Sequence, residues 1–169
     1  MLFSYIIECE LAFSRGKDMK YIAFVCGHNS GRSQLAHGAF NCLKTLYPKV
    51  DAEYEAIAWG TGIDPKSGVN KKVIPLARRV GIDLSDKSIY FPKNADHDSL
   101  QPKLPKVVKV ITMGCMDSAC EIPPKIENLS TEDVVDWGLD DPASENTDVT
   151  AARDQILGYC LELIEDFRS

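Results

Sequence analysis

The sequence contains no apolar run long enough to cross a bilayer. It has no internal repeat and no low-complexity tract. Basic residues are not in excess: 19 Lys and Arg face 25 Asp and Glu, a net charge of -6. Nucleic acids and acidic membranes are bound by clustered Lys and Arg, so neither is an expected partner. A small anion is not excluded, because it needs only one local electropositive pocket. The opening stretch also lacks the order of a secretory signal. Glu8 and Glu10 interrupt its apolar residues, and no basic residue precedes them. Without an export signal, the six cysteines are expected as free thiols in a reducing cytoplasm.

What is present suits one globular domain. The chain has 169 residues, 44% hydrophobic and 26% charged, enough to bury a sizeable core. Residues 1–18 are read as an N-terminal extension outside the domain, with Met19 as the functional start; a short helix packed on the domain is the alternative. Residues 19–169 are then the catalytic domain. YIAFVC at Tyr21 to Cys26 reads as a buried strand. Gly31 to Tyr47 has helical spacing, with Leu35, Ala36, Ala39, Phe40 and Leu43 on one face and Pro48 closing it. Further strands are expected over Glu53 to Gly60, Val107 to Met113 and Asp133 to Trp137. Val69 to Val80 reads as a helix kinked by Pro75 or holding it in a first turn, and ended by Gly81. Thr147 to Phe167 reads as a terminal helix capped by Thr147 or Asp148. Strands alternating with helices predict an α/β domain with a mainly parallel sheet, whose ligands bind at the carboxyl ends of strands.

Chemistry-bearing residues follow three of those ends. Cys26-Gly27-His28-Asn29-Ser30-Gly31-Arg32-Ser33 joins the first strand to the first helix. Successive backbone N–H groups there, with a helix N-terminus behind them, suit a tetrahedral oxyanion. Gly27 and Gly31 permit a tight backbone. Arg32 offers a planar fork to two oxygens. The same field favours a thiolate at Cys26, to which Ser33 can donate a hydrogen bond. Asn29 is expected to brace the loop through side chain to backbone bonds. A Walker-type loop fits less well, because the glycine spacing is one residue short and Arg replaces Lys. His28 reads as an ordinary loop residue rather than a metal ligand or base. These residues alone support thiolate attack on a tetrahedral anion, and they leave phosphoester hydrolysis and oxyanion reduction equally open.

The run from Cys26 to Arg32 resembles the loop shared by low-molecular-weight protein tyrosine phosphatases and the arsenate reductases related to them. The continuation HNSGRSQLA, GVN at Gly68 to Asn70 and GIDLSDKS at Gly81 to Ser88 look more like the reductase branch. The resemblance spans roughly Met19 to Phe167. It implies a single α/β domain with a four-stranded parallel sheet flanked by helices, and an oxyanion held by Gly27, His28, Asn29, Ser30, Gly31 and Arg32. It also implies a general acid just before the proline of W-G-x-x-D-P-A, which is Asp141, with Asp140 the weaker choice.

A phosphatase needs one cysteine, whereas a reductase must supply two electrons. By position, the resemblance makes Cys115 the second thiol, which attacks the arsenylated Cys26. Cys120 becomes the third, which carries the oxidation outward to thioredoxin or a low-molecular-weight thiol. No bound cofactor or metal is implied, since no second cysteine pair completes a zinc site. Residues five apart on an ideal helix have Cα atoms about 8–9 Å apart, from a rise of ~1.5 Å per residue. A disulfide rarely spans more than about 7 Å, so a Cys115–Cys120 bond requires a loop or local unwinding. Glu121 departs from the family, which usually has proline after the third cysteine. The expected activity is arsenate reduction. A phosphatase acting on aryl phosphates is the nearest rival, and a non-catalytic oxyanion-binding or redox-sensing module is the rival of another class.

Overall fold

A computed structural model describes residues 19–64, 66–114, 122–141 and 148–169. The N-terminal extension, Cys115 and Cys120 lie outside the described residues. Four strands form one sheet: β1 (Lys20–Cys26), β2 (Tyr54–Gly60), β3 (Val107–Thr112) and β4 (Val134–Asp136). The order is β2-β1-β3-β4, and every pairing is parallel. The four-stranded parallel sheet implied by the resemblance is therefore present.

β1 reads as an unbroken apolar run because both of its faces are covered. On one face Ile22 and Phe24 join Ala56, Ala58 and Ile111. That face packs on α1 (Arg32–Leu43) and α4 (Val149–Arg168) through Leu35, Ala39, Phe40, Ile156 and Ile164. On the other face Ala23, Val25, Ile57, Trp59 and Val110 meet Leu100, Leu104 and Ile126. Phe24 anchors the first layer, with its ring 6.2 Å from Phe40 and 5.4 Å from Trp137. β1 has β2 on one side and β3 on the other, so the strand order reverses at its carboxyl end. A crevice opens at such a reversal.

Local chemistry sets the element ends, in places differently from the sequence pattern. α1 stops at Leu43 and tightens into a 3-10 turn over Lys44–Leu46. Pro48 does not simply close that helix. It opens a short one, α2 (Pro48–Glu53), where a first-turn proline has no N–H to lose. The expected helix over 69–80 is shorter, α3 (Val73–Arg78), because Asn70 turns its side chain onto Lys72 N and its carbonyl onto Val73 N. Pro75 lies in the first turn, where its missing N–H costs no intrahelical bond. Gly81, at φ +83°, ends α3 as expected: Gly81 N donates to Arg78 O and Ile82 N to Ala77 O, the paired bonds of a Schellman cap. α4 begins at the cap Asp148, whose Oδ1 accepts from Thr150 N at 2.9 Å and Ala151 N at 3.2 Å. Among the described residues, no helix is long and apolar enough to cross a membrane.

Because α4 buries Ala152, Ile156, Cys160, Leu163 and Ile164, its cap has a measurable weight. Asp148→Ala should lower the unfolding free energy by about 1 kcal/mol, read from the urea midpoint at constant slope. An unchanged midpoint would show that the cap contributes nothing.

Candidate active site

The site begins where β1 ends. Cys26 is its last residue and is 3% exposed. Its Sγ lies 2.9 Å from Ser33 Oγ in the first turn of α1. Asn29 Nδ2 donates to the same Oγ at 2.8 Å. With Asn29 donating to its oxygen, the Ser33 hydroxyl can in turn donate to the sulfur, the arrangement that suits a thiolate.

Asn29 is fully buried, with φ +49°, a conformation that Asn tolerates better than most side chains. Sequence reasoning expected it to brace its own loop through backbone bonds. It does more, because it links three segments. Its Oδ1 accepts from Lys93 N at 3.1 Å and from Gln34 Nε2 at 3.0 Å, while its Nδ2 holds Ser33. The loop carbonyls are engaged from outside. Gly27 O accepts from Thr61 N and Gly62 N, and Ser30 O accepts from Asn70 N at 2.7 Å. An anion cradle needs its carbonyls turned away from the anion, and these bonds supply that.

The expected role of Gly27 needs correction. A side chain there would meet nothing within 4 Å, and its φ is not in the left-handed region. The steric demand falls on Gly60 instead, at the end of β2. A Cβ there would lie 2.8 Å from Asn29 N and 2.9 Å from Gly27 O.

Arg32 opens α1 and reaches across the crevice. Its Nη1 donates to Met113 O at 2.5 Å and to Leu139 O at 2.6 Å, past the ends of β3 and β4. Its Nη2 lies 4.0 Å from Asp141 Oδ2. Arg32 is therefore a tie between strand ends as well as an expected anion fork. Gly114, at φ +74°, makes room for this: a Cβ would lie 2.8 Å from Leu139 O and 3.4 Å from Arg32 Nη1. Asp136 fixes the same corner, with Oδ1 accepting from Thr112 Oγ1 and Gly114 N at 2.7 Å each. Of the two aspartates before Pro142, Asp141 is the one placed beside Arg32, with its carboxylate 47% exposed. Asp140 is exposed at the surface.

His28 is exposed. It lines a cleft of about 760 Å³ with Trp59, Thr61, Gln101 and Lys125. His37 is neutral, because burial first, and then Lys93 and Lys103, push its pKa down to about 3. Sequence reasoning missed Gln34, Gly60, Phe91, Lys93, Gly114 and Asp136. Only the two glycines at strand ends carried a local signal.

No family model matches the chain. It is 30% identical over 151 residues to the arsenate reductase of Staphylococcus aureus (strain Newman), covering 89% of this chain and 97% of that one. A Halobacterium salinarum protein named as a candidate arsenate reductase is 32% identical over 145 residues, covering 85% and 90%. The chain belongs to the arsenate reductase family. A solved arsenate reductase in a phosphate-binding state superposes with a TM-score of 0.66 at 26% identity, covering 88% of this chain and 99% of that one. A thioredoxin-dependent arsenate reductase of Corynebacterium glutamicum shares the fold, with a TM-score of 0.62 at 23% identity over 98% of this chain and 71% of that one. The residues from Cys26 to Ser33 lie at the carboxyl end of β1, beside the sheet reversal.

The bare Gly60 surface gives a direct test. Gly60→Ala should keep the far-ultraviolet circular dichroism, cost about 1–3 kcal/mol of stability and weaken inorganic phosphate binding about tenfold or more. Wild-type phosphate affinity in this variant would mean that the loop does not depend on that contact.

Proposed function

We propose that this chain reduces arsenate to arsenite, with Cys26 as nucleophile. The observation that carries the reading is the hydrogen-bonded set Cys26–Ser33–Asn29, standing at the strand-order reversal with Arg32 and Asp141 across the crevice. The loop N–H groups and Arg32 hold the arsenate oxygens, and the Cys26 thiolate attacks arsenic. A sulfur–arsenic bond forms and an arsenic–oxygen bond breaks. Asp141 delivers the proton with which that oxygen leaves as water.

Cys115 then attacks the Cys26 sulfur. The sulfur–arsenic electron pair passes to arsenic, arsenite departs, and Cys26 and Cys115 are joined by a disulfide. Cys120 attacks Cys115, which frees Cys26 and moves the disulfide outward. An external dithiol of the thioredoxin type, or a low-molecular-weight thiol, returns the two electrons. This relay rests on the family resemblance and on the thiol requirement of the reaction, and a reducing cytoplasm is its natural setting. Cys26, Arg32 and Asp141 also meet the needs of aryl phosphate hydrolysis, which requires no second thiol.

The two activities separate in one variant. Cys115→Ser should abolish steady-state arsenite formation with thioredoxin and keep measurable turnover of an aryl phosphate. Undiminished arsenite formation would sink the relay. Loss of both activities in Cys26→Ser is the companion expectation, and arsenite formation there would exclude Cys26 as nucleophile.

A further inference from the structure

Lys93 is 4% exposed, an unusual place for an ammonium group. Among the described residues no carboxylate lies within ion-pair distance of it. Its Nζ donates to Phe91 O at 2.9 Å and stands 4.0 Å over the Phe91 ring. Phe91 O also accepts from Gln34 Nε2 at 2.9 Å, and the same Nε2 reaches Asn29 O and Asn29 Oδ1. Pro92 stiffens the bend between Phe91 and Lys93. Lys93 N then donates to Asn29 Oδ1 at 3.1 Å, and Lys93 O accepts from Gly60 N at 2.9 Å. The bend is thus clamped to the loop and to the end of β2. Its far side continues through Asn29 Nδ2 and Ser33 Oγ to Cys26 Sγ.

Resting on the oxyanion reading above, we propose that Lys93 is a positioning residue for the Cys26–Ser33 loop, its buried ammonium fastening the Phe91–Lys93 bend that holds Asn29. With no carboxylate within ion-pair distance among the described residues, this interior ammonium places positive charge behind the loop. That charge is compatible with a site that takes a tetrahedral dianion, and binding of the anion stabilises it in return. The reaction does not need Lys93 to touch the substrate.

Several groups face Lys93. Burial first, and then Lys103, lower its pKa to about 8. Lys103 itself is paired to Glu55 at 3.0 Å. His37, on α1, is already neutral throughout the range that matters. His97 meets the Phe91 ring edge-on at 5.1 Å. The sign follows from the lowered value. Lys93 carries its charge below pH 8 and sheds it above, so its help to an anion is present at pH 7 and fades as pH rises through 8.

The test is inorganic phosphate binding by calorimetry from pH 7 to 9.5, with affinity expressed for the dianion and in the Cys26→Ser background to remove the thiol titration. Lys93→Met keeps most of the apolar stem and should weaken binding about tenfold at pH 7, while Lys93→Arg stays within about threefold. The difference between Lys93 and Met should shrink toward none by pH 9.5. Lys93→Met binding as tightly as its parent overturns the proposal, and so does a loss that is constant across pH. If Lys93→Met fails to fold, the parent alone decides, because an affinity that does not fall through pH 8 removes the role. A parent that binds no phosphate at any pH overturns the oxyanion reading itself.

Discussion

One guanidinium connects the ends of the sheet that the chemistry uses. Arg32 belongs to the helix after β1, yet its Nη1 is bonded to carbonyls that follow β3 and β4. Two strong bonds to neutral acceptors fix the side chain proposed to meet the oxyanion, and they tie the helix after Cys26 to the segments that follow β3 and β4. Gly114 is the backbone concession that allows this contact. The parallel order β2-β1-β3-β4 makes the tie geometrically possible, because only at the reversal beside β1 do these ends diverge around a crevice.

The loop itself is held less by its own residues than by its neighbours. Thr61 and Gly62 support the Gly27 carbonyl, Asn70 supports Ser30, and the Phe91–Lys93 bend supports Asn29. This arrangement gives the GVN segment a physical meaning, since Asn70 forms the turn before α3 with its side chain and carbonyl and secures the loop with its backbone N–H. Preorganised donors cost no rearrangement when the anion arrives, which is where such sites gain most of their effect.

Much of this was legible in the sequence. Buried β-branched and aromatic runs mark β1, β2 and β3, and the Cys-to-Arg spacing marks the loop. Gly81 and Asp148 announced helix ends through ordinary capping chemistry. The rest was hidden for identifiable reasons. α2 was missed because a proline that stops one helix can equally start another. α3 was overextended because an Asn turn competes with helix at residues 70–72. Gln34 and Lys93 look like routine polar residues, and nothing local shows that they meet Asn29 from opposite directions. The Gln34–Phe91 and Lys93–Asn29 contacts depend on tertiary closure between residues 57 and 64 apart in the chain, which periodicity does not encode.

The tightness of the loop against Gly60 bears on how the proposed enzyme tells its substrates apart. A cradle with backbone 2.8 Å from where a methyl would sit has little freedom to expand or contract. Arsenate and phosphate present the same charge and nearly the same outline, and a rigid pocket of fixed donors separates near-isosteres poorly. On the proposed reading selection by shape is therefore weak, and phosphate is expected to compete for the cradle. Discrimination passes to the next step, because arsenic accepts the electron pair of a sulfur bond and phosphorus does not. The enzyme sorts its ligands by what they can become after binding.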